Sequence, residues 1–99
     1  MKLLKKHFEQ ARQVALLWRQ DGYDYVVVVR HQSRARVCLP SRQQDLPSHA
    51  VGSWDYYPIP TIERLGESDP TEETASRAEL WIAATIAYGC YYDLSARAA

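Results

Sequence analysis

The sequence predicts an α+β fold in a single domain spanning residues 1–99: an N-terminal helix, a three-stranded antiparallel sheet and a long C-terminal helix, with both helices on one sheet face. Three stretches carry that prediction. Apolar residues recur at helical spacing between Leu4 and Trp18, four valines stand in a row at positions 26–29, and residues 69–94 open with Asp-Pro-Thr-Glu before turning almost wholly apolar. Ninety-nine residues can bury one working core and leave little for a second.

The first helix is expected over residues 2–20. Leu4, Phe8, Ala11, Ala15 and Trp18 follow one another by alternating steps of four and three, Leu3, Val14 and Leu17 widen the stripe, and Lys5, Glu9, Arg12 and Arg19 fall on the other side. Asp21-Gly22 supplies the stop, since glycine takes a left-handed C-cap conformation without strain.

Tyr23 to Arg30 reads as the clearest strand, β-branched along its centre and therefore apolar on both faces. The residues around His31 to Arg34 form the connection of a hairpin into residues 35–39. An even-length loop there would set Val28 opposite Val37 and Val26 opposite Leu39, and an odd-length loop would undo that pairing. Residues 41–52 are polar and read as a surface loop. Residues 53–62 form a third strand whose Pro58 and Pro60 remove donors from one edge only, because amides two apart point the same way. Residues 63–68 read as a charged loop, and the long helix follows, with Asp69 as N-cap and Pro70 in its first turn.

On that helix Leu80, Ala84, Ala87, Tyr91 and Leu94 share one side. The first helix and the sheet can cover it. Ile82, Ile86, Gly89 and Cys90 share another side and are expected to form a homodimer interface.

Composition narrows the classes of function. Apolar residues make up 46% and charged residues 24% of the chain, which fits a folded globular domain rather than a disordered one. Lys plus Arg equals Asp plus Glu at 12 each, yet residues 1–50 hold nine basic against four acidic residues, and residues 51–99 hold three against eight. That asymmetry can cancel within the fold or run head to tail between subunits. The basic start of the chain lacks the apolar run of a secretory signal, and residues 80–92 are too short to cross a bilayer, which takes about 20. A cytoplasmic protein with no membrane contact is expected.

No catalytic, metal or cofactor constellation emerges from the spacing. His7, His31 and His49 are scattered, Cys38 and Cys90 are far apart, and the four glycines are isolated, so neither a zinc spacing nor a phosphate loop exists. Cys38 with His31 or His49 would make a nucleophile and base, and reads more simply as a small buried strand residue. The chain is therefore expected not to be an enzyme and to need no cofactor.

One surface cluster remains. Arg30, His31, Arg34, Arg36 and Arg42 gather cations about the hairpin, and Trp54, Tyr56 and Tyr57 add aromatic surface. Arginine with aromatics favours protein hot spots, and the expected function is a small non-catalytic protein-binding module, an inhibitor or adaptor of a larger complex of the kind mobile elements encode. The alternative use of the same residues is single-stranded nucleic-acid binding.

Overall fold

The computed structural model describes residues 3–30, 36–46, 54–67 and 69–88, with backbone alone at Arg30, Arg36, Val37 and Trp54. The elements are α1 (Lys5–Gln20), β1 (Tyr25–Arg30), β2 (Arg36–Ser41), a 3-10 turn (Gln43–Asp45), β3 (Trp54–Pro58), α2 (Ile62–Leu65) and α3 (Arg77–Tyr88). The three strands form one antiparallel sheet in the order β2-β1-β3, and the architecture is the mixed α+β arrangement that the sequence predicts.

α1 ends where Asp21-Gly22 predicts. Gly22 has φ +91°, its amide donates to the Arg19 carbonyl (3.1 Å), and the Tyr23 amide donates to the Trp18 carbonyl (2.9 Å), the two bonds of a Schellman cap. An alanine Cβ here would meet only Arg42 Nε at 3.8 Å, so backbone conformation alone opposes substitution. Gly22→Ala is expected to cost about 1–2 kcal/mol in a urea melt, and an unchanged midpoint would contradict the strained φ.

Hairpin register is where the sequence reading needs correction. Val28 pairs with Cys38 and Val26 with Pro40, because Arg30 faces Arg36 across an odd number of intervening residues. The one-residue slip moves Leu39 to the opposite face. Val26, Val28 and Cys38 join the helices in the core, and Val27 and Leu39 lie on the outer side. Prolines occupy both edge strands, Pro40 in β2 and Pro58 in β3. The Ile59 amide reaches inward to the Asp24 carbonyl (2.9 Å), so Pro58 and Pro60 present their missing donors to the free edge.

Ile62, expected to end the third strand, and residues 63–65, expected within a charged loop, form α2. Thr61 Oγ1 accepts the Arg64 amide at 3.3 Å, and Leu65 enters the core at 2% exposure. The last helix starts at Arg77 rather than after Asp69. Thr74 Oγ1 donates to the Asp69 carbonyl (2.8 Å) and the Ala75 amide to the Thr71 carbonyl (2.8 Å), so residues 69–75 close on themselves as a turn. Ser76 then opens α3 through a capping box: Ser76 Oγ accepts the Glu79 amide (3.2 Å) and Glu79 Oε1 accepts the Ser76 amide (3.0 Å).

α3 touches all three strands, and α1 lies chiefly against α3 and α2. Ala11 and Ala15 of α1 and Ala83 and Ala84 of α3 are each fully buried, which lets the two helices approach closely. Leu4 and Leu17, placed in the apolar stripe by periodicity, are instead exposed.

Candidate functional site

The sheet sorts the expected partner-binding residues by register. Trp54 is opposite Val29, Tyr56 opposite Val27 and Tyr57 opposite Val26, so neighbouring tyrosines serve opposite faces. Tyr57 belongs to the helix side. Its ring stacks on Trp81 (centroids 6.1 Å apart, 29° between planes), and the Arg77 guanidinium lies 5.5 Å from its centre. Tyr56 lies on the outer side, its hydroxyl shielded from solvent and without a hydrogen-bond partner among the described residues. Tyr56 and Tyr57 therefore do not make one stacking platform.

The cationic cluster separates too. Arg30 and Arg36 are direct cross-strand partners at the hairpin end, and Trp54 starts β3 at the same end of the sheet. His31 and Arg34 lie outside the described residues. Arg42 is at the opposite end, beyond the Tyr25–Ser41 pair. There it covers the Tyr23 ring at 4.3 Å and donates to the Asp21 carbonyl at 3.1 Å. It holds the α1–β1 corner rather than extending the cluster.

The outer sheet face draws residues from every strand: Tyr25 and Val27 from β1, Leu39 from β2 and Tyr56 from β3. None of these joins the cluster packed by the helices; Val27 is nevertheless buried at 5% exposure, and Leu39 is 47% exposed. The expected dimer side of the last helix differs from this. Ile82 is 2% exposed and lines, with Val14, Trp18, Cys38, Thr85 and Ile86, a small apolar pocket of about 250 Å³ between α1, β2 and α3. Ile82 is therefore corrected from interface to core, because α1 and the sheet already cover it. Ile86 stays 37% exposed, and Gly89 and Cys90 lie outside the described residues.

A feature that sequence reasoning missed lies between α1, α2 and α3. Arg12 Nε donates to Glu79 Oε2 at 2.8 Å, Arg12 donates a second bond to the Leu65 carbonyl at 2.9 Å, and both side chains are buried. Glu79 Oε1 meanwhile caps α3 through Ser76. One carboxylate thus joins α1 to the start of α3, and its arginine secures α2. The pair forms the floor of a polar cleft of about 770 Å³, rimmed by Arg64, Glu67 and Glu73. Arg12 sits on the polar side by periodicity, and only the Ser76-x-x-Glu79 spacing signals that Glu79 has a fixed role.

Cys38 is buried at 7% exposure, whereas His31 and His49 lie outside the described residues. Among the described residues no group of three His, Cys, Asp or Glu side chains is placed to hold a metal ion, and no helix is long and apolar enough to cross a membrane. Comparison with protein-family models, curated proteins and solved structures found no match for this chain.

Proposed function

We propose that this chain is a small non-catalytic protein-binding module, an inhibitor or adaptor of a larger cytoplasmic complex of the kind mobile elements encode, and that it self-associates. The observation that carries the reading is the outer sheet face, where Tyr25, Leu39 and Tyr56 gather apolar and aromatic surface away from both helices. Prolines on the two edge strands disfavour partner binding by strand addition and leave the face as the contact surface. Trp54, opposite Val29 at the start of β3 and in register with that face, is a residue type that interfaces favour.

The test is affinity capture from the native host with wild-type chain and with Leu39→Glu. Leu39 is half exposed, so the variant should stay within about 0.5 kcal/mol of wild-type stability. It is expected to lose a protein that the wild type retains. Identical captured sets would remove the sheet face from the proposal.

A further inference from the structure

We infer that residues 71–76 are a hinged strap: a first helical turn, folded back from α3 at Ala75 and Ser76, that can realign with α3 into one continuous helix and so open the polar cleft. Two complete capping boxes stand in close succession here. The Thr71 amide donates to Thr74 Oγ1 (2.9 Å) and the Thr74 amide to Thr71 Oγ1 (3.2 Å), with Thr74 in the place that Glu or Gln usually takes. The Ala75 amide then reaches the Thr71 carbonyl (2.8 Å), the spacing that closes one turn of α-helix. At Ser76 the helix stops and begins again through the reciprocal bonds of Ser76 with Glu79. The chain thus holds two starts for one helix.

The two arrangements differ at few residues. In a continuous helix the Thr71 box keeps both of its bonds, and the amides of Ser76, Arg77, Ala78 and Glu79 take the carbonyls of Glu72, Glu73, Thr74 and Ala75 in place of the Ser76 box. Asp69, Glu72 and Glu73 then all stand at the positive end of the longer dipole. What holds the break is tertiary. Ala75 packs against the core, and Arg12 fixes Glu79 Oε2 at 2.8 Å, so that Oε1 stays aimed at the Ser76 amide and hydroxyl. Local preference for one long helix is set against contacts made elsewhere in the fold, which is the balance of a bistable element.

The consequence falls on the cleft. Glu73, Thr74, Ala75 and Ser76 make one wall of it, beside the Arg12–Glu79 floor. At about 1.5 Å per residue, realignment carries that wall up to about 8 Å beyond Arg77 along the α3 axis and leaves the ion pair facing solvent. The strap therefore controls access to the buried pair. Leu39 and the outer sheet face take no part in it.

Backbone NMR shifts of the full chain test this, because a strap and an ordinary cap respond to one substitution in opposite directions. Ser76→Ala removes the second box and puts the best helix former where an N-cap stood. Were Ser76 only a cap, helical shifts at the start of α3 would weaken. The strap requires the reverse: Cα shifts at residues 75 and 76 turn helical, α3 lengthens from 12 residues to about 17, and the helical circular dichroism signal grows to match. Adding Arg77→Pro should cancel the gain, since proline suits the first position of α3 as it stands and cannot sit inside the longer helix. Helicity that falls or stays constant in Ser76→Ala, or a gain that survives Arg77→Pro, would overturn the inference. Should Ser76→Ala fail to fold, relaxation dispersion on the wild type reads the same equilibrium. Exchange at residues 71–76 toward helical shifts is expected there, and its absence would equally overturn the strap.

Discussion

Replacing Glu79 by alanine is expected to destabilise the chain by about 3–5 kcal/mol, the range for removing one partner of a buried ion pair. The loss has two parts. Arg12, 8% exposed, keeps its charge without the carboxylate 2.8 Å away, and the Ser76 amide and hydroxyl lose the oxygen that caps α3. Domains of this size are stable by only about 5–15 kcal/mol, so the variant should lie near the edge of folding at room temperature. The double variant Arg12→Met/Glu79→Leu removes both charges and replaces them with apolar volume. It should be markedly more stable than Glu79→Ala, while still lacking the Ser76 cap and the bond to the Leu65 carbonyl, each worth about 1 kcal/mol. Urea midpoints at constant slope measure both quantities. A Glu79→Ala loss below about 1 kcal/mol would mean that water or a rearranged partner already screens Arg12.

The same pair shows why the candidate site was only partly legible in the sequence. Helix and strand identity came from local periodicity, which chain neighbours determine, and α1, β1 and the proline-edged β3 follow it. Arg12 and Glu79 are separated by 67 positions, and nothing local joins them. Residues 69–79 held two competing start signals. Asp69-Pro70 has the stronger composition, but the Thr71 and Thr74 hydroxyls satisfy backbone groups locally and end that turn, which leaves Ser76 and Glu79 to open the helix. The valine run was ambiguous for a different reason. With Val26 to Val29 all apolar, alternation cannot say which pair faces the helices, and loop parity, which sequence does not determine, makes the choice. That choice moved Leu39 from the core to the outer face and so created the surface on which the proposed function rests.

Trp81→Ala is the second large effect, expected to cost about 3–5 kcal/mol as the truncation of a buried tryptophan. Trp81 is 1% exposed and is the largest fully buried side chain among the described residues. It stands one turn from Arg77, and together they hold the Tyr57 ring against α3, tying the edge strand to the helix layer. Trp81→Phe keeps an aromatic partner and should lose less than half as much. A double-mutant cycle with Tyr57→Leu should return a coupling of about 0.5–1.5 kcal/mol, the usual value for an aromatic pair; zero coupling would reduce the stack to simple burial. The consequence reaches the outer surface. Strand residues alternate, so holding Tyr57 on the helix side fixes Tyr56 on the other side, and a slip of one residue would exchange them. Trp81→Ala should therefore weaken capture through the sheet face even under conditions where the chain remains folded, whereas Gly22→Ala, which leaves the Trp81–Tyr57 contact in place, should lower stability and leave capture by the folded fraction unchanged.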